Sequence, residues 1–183
     1  MATRKPFDFY PTPTWATEAL LNTFPPCKDI EVVEPCAGNG AICKTLIEHN
    51  YKVHGVEIRE EAREYLSKLP LQSLTIGNWL SIATLQDPNS NFSIVTNPPF
   101  VLAFEFAKSV IQDMNLGYVA LLLRLGFLAS KRRHSFFKKY PPTDLLILSK
   151  RPSFTIDNLT DSYDYGWFIW ERGKTGCVSF SIP

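Results

Sequence analysis

Apolar runs of strand length, alternating with longer segments of helical pattern, constrain the fold of this 183-residue chain more than any other feature. The strand-like runs are IEVVEP, KVHGVEI, SLTIG, FSIVTN, GYVALLLR, TDLLILSK and YGWFIWER. Between or before them lie WATEALLNTF, with Thr14 placed to cap it, AICKTLIEHN, REEAREYLSKL, VLAFEFAKSVIQDM and LASKRRHSFFKKY. Strands that alternate with helices predict a mostly parallel α/β sheet of seven strands with helices on both faces. The unbroken apolar character of VALLLR and DLLILS predicts strands buried on both faces. A short turn, ERGKTG, joins YGWFIWER to CVSFSI, so the C-terminal end of the sheet is expected to be antiparallel. No linker divides the pattern, which suits one domain over residues 1–183. The one long irregular segment is RPSFTIDNLTDSYD, a length that in a compact domain is usually functional or mobile. Asp161 and Asp164 are placed to order it.

Composition removes several classes of function. Hydrophobic residues make up 45% of the chain, enough for a core. No apolar run approaches the roughly 20 residues of a membrane span. The first residues, MATRKPFDFY, lack the apolar stretch of a secretion signal, so the cytoplasm is the expected location. Cys27, Cys36, Cys43 and Cys177 form no CxxC pair, and His49, His54 and His134 form no metal-spaced group. Reduced, structural cysteines and no bound metal are expected. The formal net charge of +1 neither demands nor excludes nucleic acid, so any basic surface has to be local. The segment carrying Lys131, Arg132, Arg133, Lys138 and Lys139 is the candidate, with Phe136 and Phe137 as its anchors to the sheet. Trp167 and Trp170, in an apolar strand, read as core.

Two strand ends carry the chemistry. The first strand runs into EPCAGNG and then a helix. Gly38 and Gly40 permit a tight turn and close approach of a ligand to backbone amides. The second strand ends on Glu57, 17 positions after Gly40, where a carboxylate can accept hydrogen bonds from ribose hydroxyls. This order reads as a nucleoside-cofactor pocket at the carboxyl ends of parallel strands. A dinucleotide fingerprint wants Gly or Ala where Cys43 stands, and no phosphate-binding GK[ST] is present. A nicotinamide enzyme would account for this half alone. The fourth strand ends in TNPPF, which sets the amide of Asn97, the rigid pair Pro98–Pro99 and the ring of Phe100 at the mouth of the sheet.

Together FYPTPTW, EPCAGNG, GVEI, GNW and NPPF, in that order and followed by RPSFTIDNLTDSYDYGWFIW, resemble S-adenosylmethionine-dependent amino-methyltransferases acting on adenine. The nearest resemblance is to the small phage- and prophage-type DNA N6-adenine methyltransferases, and it covers nearly the whole chain. It implies a Rossmann-like class I methyltransferase fold, S-adenosylmethionine as cofactor, and a nucleic-acid partner, DNA favoured over RNA, in a bacterial or phage-infected cell. It implies that Tyr10 and Thr12 hold the methionine end, Thr12 through the carboxylate. Glu34, Cys36, Gly38 and Gly40 then lie under the methionine and ribose. Glu57 takes the ribose and Ile58 packs on the cofactor's adenine. Asn78 stands where the family commonly has Asp, bonding that adenine's amine. Asn97, Pro98, Pro99 and Phe100 form the catalytic motif, with Asn97 also beside the cofactor. A base inside a duplex has to be flipped out to reach such a pocket. Phe100 and Phe154 are the expected stacking faces, and Arg124, Lys131, Arg132 and Arg133 the expected backbone contacts. The same chemistry on RNA, methylation of protein glutamine, and a silent nucleic-acid-binding module of the same fold are the alternatives.

Overall fold

The computed structural model describes residues 10–82, 91–113, 116–154 and 162–174. Its strands form one seven-stranded sheet, in the order β3-β2-β1-β4-β5-β7-β6. They are β1 (Val32–Glu34), β2 (Val53–Glu57), β3 (Ser73–Ile76), β4 (Ser93–Thr96), β5 (Tyr118–Arg124), β6 (Asp144–Ile147) and β7 (Tyr165–Glu171). The first five run parallel. β7 is antiparallel to both of its neighbours, with Leu121 opposite Phe168 and Leu146 opposite Trp167. The helices are α1 (Thr14–Thr23), α2 (Ala41–Glu48), α3 (Arg63–Leu66), α4 (Trp79–Ile82), α5 (Ala103–Lys108) and α6 (His134–Lys139). Among the described residues no helix is long and apolar enough to cross a membrane.

Side chains alternate across a strand, so each apolar strand feeds two cores. Val32, Ala120, Leu122, Trp167 and Ile169 face one side, where Ala16 and Leu20 of α1 and Ile42 and Leu46 of α2 cover them. Val33, Ile94, Leu121, Leu123 and Phe168 face the other, covered by Phe106 and by Phe136. Trp167 is fully buried, and its indole nitrogen donates to the Ala16 carbonyl at 2.7 Å, tying β7 to α1. Trp170 is also buried, in the second core.

Several local expectations are corrected. Thr14 does not cap α1 but is its first residue. Pro13 occupies the cap position in extended conformation, and the Ala16 amide bonds to its carbonyl at 2.9 Å. REEAREYLSKL is not one helix: a 3-10 turn over Glu60–Ala62 precedes α3. The basic helix likewise starts as a 3-10 turn, Lys131–Arg133. β6 is not buried on both faces, because β7 inserts between it and β5 and leaves β6 at the sheet edge with Ile147 43% exposed. CVSFSI, with Cys177, lies outside the described residues.

The insertion of β7 has a steric requirement at Gly166. A Cβ there would sit 2.9 Å from the Leu146 carbonyl oxygen and 3.1 to 3.2 Å from the Leu125 and Leu145 side chains. Backbone cannot give way as a side-chain tip can. Gly166→Ala is expected to cost about 1–3 kcal/mol, as overpacking does, read as a lower denaturant midpoint. Gly126→Ala, where no described residue lies within 4 Å, is the control and should shift it little.

The order also places the site. β1 is flanked by β2 and β4, so the sheet is built outward in opposite directions from β1. Open α/β sheets bind ligands at the carboxyl ends of the strands beside such a switch point.

Candidate active site

A cavity of about 480 Å³ opens at that point. Tyr10, Thr12, Glu34, Cys36, Gly38, Glu57, Ile58, Asn78, Asn97 and Pro99 all line it. Residues read separately from the N-terminal segment, three strand ends and two loops therefore share one wall. Gly40, Pro98, Phe100, Phe154, Arg124 and the basic segment lie outside the lining.

The glycine loop is shaped by its backbone. Gly38 and Gly40 have φ of 59° and 80°, the left-handed region in which glycine is at least cost. The Gly38 amide donates to Glu57 Oε2 at 2.7 Å. Glu57 Oε1 accepts from the Arg59 amide at 3.0 Å and from Arg59 Nε at 2.8 Å. A carboxylate has about four acceptor positions, so Glu57 is oriented by three bonds and keeps room for one ribose hydroxyl. Arg59 was not legible as a site residue, because an arginine two positions after the acid has no motif of its own. Tyr65, which donates to the Gly38 carbonyl at 2.8 Å, was missed for the same reason.

Glu34 is fully buried. Its Oε1 accepts from the Cys36 amide at 2.9 Å and from the Thr96 hydroxyl. Its Oε2 is buried without a partner among the described residues. Burial pushes the carboxyl up to about 8, against the pull of the Thr96 and Cys36 bonds and with help from the Glu57 charge. Glu34 is therefore mostly neutral at pH 7. Thr96, unassigned from sequence, links the NPPF strand end to the glycine-loop acid. Burial also raises the thiols of Cys36 and Cys43, with the Glu34 charge adding to it, so neither is a ready thiolate.

Asn97 is fixed by its own nitrogen. Nδ2 donates to the Tyr10 carbonyl at 3.3 Å and to Thr12 Oγ1 at 3.0 Å. A carbonyl only accepts, so the amide nitrogen faces the N-terminal segment and Oδ1 faces away from it. Oδ1 is buried and has no partner among the described residues. An orphaned buried acceptor is costly and marks a place where a donor is expected.

Asn78 has a local duty as well. Its side-chain oxygen accepts from the Leu80 amide at 3.1 Å, at the start of α4, which is what asparagine does at a helix N-terminus. At the cavity rim Ile58, Val101 and Leu102 are 50%, 60% and 40% exposed. Three large apolar side chains left in water around one opening suit a flat apolar ligand. Val101 and Leu102 were hidden in sequence as the start of an amphipathic helix.

The aromatic residues are arranged differently from expectation. Phe100 stacks on Tyr10, with centroids 5.4 Å apart and 25° between planes. Phe154 is 5% exposed and packs edge-on against Tyr10, Phe100 and Tyr165. It presents no face to the cavity and belongs to the core of the cluster. Arg124 ends β5 and lies over this cluster rather than in solvent.

Of the basic residues, Arg133 is turned inward. Its Nε donates to the Phe127 carbonyl at 2.7 Å, and its guanidinium lies over the Phe127 ring at 4.4 Å, holding the turn after β5. It holds this turn from a partly buried position. Arg132 pairs with Glu105 at 3.1 Å, and Lys131 is exposed. Phe136 is buried and Phe137 packs beside it, anchoring the segment as expected. Asp164 pairs with Arg151 at 2.9 Å. Asp161 lies outside the described residues.

No family model matches the chain, and no curated protein matches it in sequence. Its fold is nonetheless shared with solved methyltransferases. The 23S rRNA methyltransferase ErmE is 16% identical over 91% of this chain and 70% of its own, with a TM-score of 0.63. The M protein of the type I restriction enzyme EcoKI is 14% identical over 91% of this chain and 46% of its own, with a TM-score of 0.64. A SAM-dependent methyltransferase from Anabaena variabilis is 17% identical over 86% of this chain and 84% of its own, with a TM-score of 0.56. At these identities the likeness is one of architecture: the chain has the Rossmann-like class I methyltransferase fold.

Proposed function

We propose that this chain transfers a methyl group from S-adenosylmethionine to the exocyclic N6 amine of adenine in DNA. The observation that carries the reading is Asn97. Its amide nitrogen is tied to Tyr10 and Thr12, and its oxygen is left buried, with no partner among the described residues, on the strand end beside the cavity.

The cavity fits the cofactor. Glu34 has its Oε2 orphaned in the lining, and the ammonium of a methionine end would favour its ionised form and pair with that oxygen. Glu57 keeps one acceptor position for a ribose, and Ile58, Val101 and Leu102 suit an adenine ring. Thr12 and Tyr10 close the methionine side.

When bound, S-adenosylmethionine supplies an electrophilic methyl group. The lone pair of an adenine amine is delocalised into the ring, so the residues facing it have to localise it. Asn97 Oδ1 accepts one amine proton and the Pro98 carbonyl accepts the other. The nitrogen is drawn toward tetrahedral geometry with its lone pair directed into the cavity. Pro98 and Pro99 have fixed φ, so the carbonyl does not drift. Preorganised polar groups of this kind contribute about 10²–10³ in rate each. No residue of shifted pKa is needed at the amine, whose surplus proton leaves to water.

The motif set favours DNA. The likeness to a 23S rRNA methyltransferase supports a second reading, the same reaction on RNA. The test is incubation with methyl-labelled cofactor and, separately, duplex DNA, single-stranded DNA, RNA and a protein extract, followed by digestion. N6-methyladenine from DNA is expected. Label in RNA alone would move the assignment to the second reading, and N4-methylcytosine or methylglutamine would overturn both.

A further inference from the structure

The sheet edge above β5, β7 and β6 carries an arrangement that methyl transfer by itself does not explain. The Arg124 guanidinium carbon lies 4.4 Å from the ring centre of Phe100 and 3.8 Å from that of Tyr163. Its Nε donates to the Tyr165 hydroxyl at 3.0 Å. One planar cation thus lies over two rings, and Tyr163 is 52% exposed beside it. β6 runs parallel to β5, because both are antiparallel to β7. The end of β6 therefore brings further cations to the same edge: Arg151, paired with Asp164, and Lys150, over the Trp15 ring at 4.6 Å.

Phe100 is expected to stack the target base, yet its ring is taken. Tyr10 stacks against it and Arg124 lies over it. A base can reach Phe100 only by displacing one of the two. Tyr10 is held in place: its carbonyl accepts from Asn97, and its ring also packs on Phe154. Arg124 sits at a strand end on a long side chain, and a planar guanidinium has about the stacking thickness of a purine. A cation displaced from a ring face by a nucleotide also finds a phosphate close at hand.

We propose that the slot between Phe100 and Tyr163 is the seat of the unpaired purine nucleotide, and that the Arg124 guanidinium holds this slot until the base enters and then moves to the nucleotide's phosphate. The assignment rests on the reading of the site as an adenine methyltransferase. The reading of Phe100 as a stacking face is kept, Tyr163 takes the place expected of Phe154, and Arg124 acquires two successive partners.

The experiment uses the whole chain saturated with S-adenosylhomocysteine, whose binding is first measured by calorimetry. The fluorescent probes are 2-aminopurine deoxyriboside and its 5′-monophosphate. In the unaltered protein the monophosphate binds more tightly than the nucleoside, and added salt narrows the difference. In Arg124→Ala the nucleoside is expected to bind roughly tenfold more tightly, the size of a lost cation–π competitor, while the phosphate's advantage disappears. Arg124→Lys, which keeps the charge without the plane, should tighten the nucleoside and retain a salt-sensitive phosphate advantage. Tyr163→Ala should weaken the nucleoside. Weaker nucleoside binding by Arg124→Ala, or equal loss for both probes, overturns the proposal. If S-adenosylhomocysteine does not bind, the methyltransferase reading falls and this one with it. If it binds and the probes respond the wrong way, only the slot assignment falls.

Discussion

Asn97→Ala is expected to lower methyl transfer by about 10²–10³-fold, with the dissociation constant for S-adenosylhomocysteine rising by less than about tenfold. The two effects separate because the two ends of the amide have separate partners. Nδ2 holds the Tyr10 carbonyl and Thr12, which line the cofactor cavity. Losing an ordinary hydrogen bond of that kind costs about 1 kcal/mol, and only the part of the loss that loosens the Tyr10 and Thr12 segment reaches the cofactor. Oδ1 has no partner among the described residues and is left to serve the reacting amine. Thr12→Val removes one of the nitrogen's partners and leaves Oδ1 in place. It should therefore affect cofactor binding more than the rate at saturation. Single-turnover rates set beside calorimetry distinguish these cases. An Asn97→Ala protein that turns over normally would remove the proposed role of the amide.

A second large effect is expected in stability against pH. Glu34 has its carboxyl pushed up to about 8 in the folded protein, from an ordinary value near 4.5, by burial above all. The folded state thus holds a proton that the unfolded state gives up. Stability is fullest below about pH 4.5 as far as this group is concerned, and it is lost as pH rises toward 8. The loss is expected to be on the order of a few kcal/mol across that window, since a tenfold difference in proton affinity between the two states corresponds to about 1.4 kcal/mol. Glu31 and Glu60 are lowered from the ordinary carboxylate value by hydrogen bonds from His54 and Arg63, so their effect has the opposite sign and falls on the acid side of the window. Glu34→Gln has the shape of the protonated acid and cannot ionise. Its denaturant midpoint should change far less between pH 5.5 and 8.5 than that of the parent. Parallel curves for the two proteins would show that Glu34 does not control this window.

The strands and their class were legible because hydrophobic runs report burial directly. Their neighbours were not. YGWFIWER and VALLLR are equally apolar, and nothing in either says that the later strand returns antiparallel beside the earlier one. DLLILS looked buried on both faces and is an edge strand, because an apolar run does not say whether a neighbour covers its second side. At the site, Gly38, Glu57 and Asn97 were readable because their types and strand-end positions carry chemistry by themselves. Thr96 and Arg59 were not, since each acts through a contact with an acid, and in the case of Thr96 that acid lies 62 positions away. Phe154 had the right type and neighbourhood, but its ring turns into the cluster. Arg124 was legible as the last residue of β5. The rings that hold it became evident only once β7 had brought Tyr163 and Tyr165 alongside.

The central chemical claim is that the methyl acceptor is an exocyclic amine held by Asn97 and the Pro98 carbonyl. Two DNA substrates of the same sequence test it, one with adenine and one with every adenine replaced by purine, which lacks the N6 amine. With labelled cofactor, methylation is predicted on the adenine-containing DNA alone, at N6 when the digested nucleosides are identified by mass spectrometry. Methylation of the purine-substituted DNA, or of a ring nitrogen in the adenine-containing one, would contradict the claim.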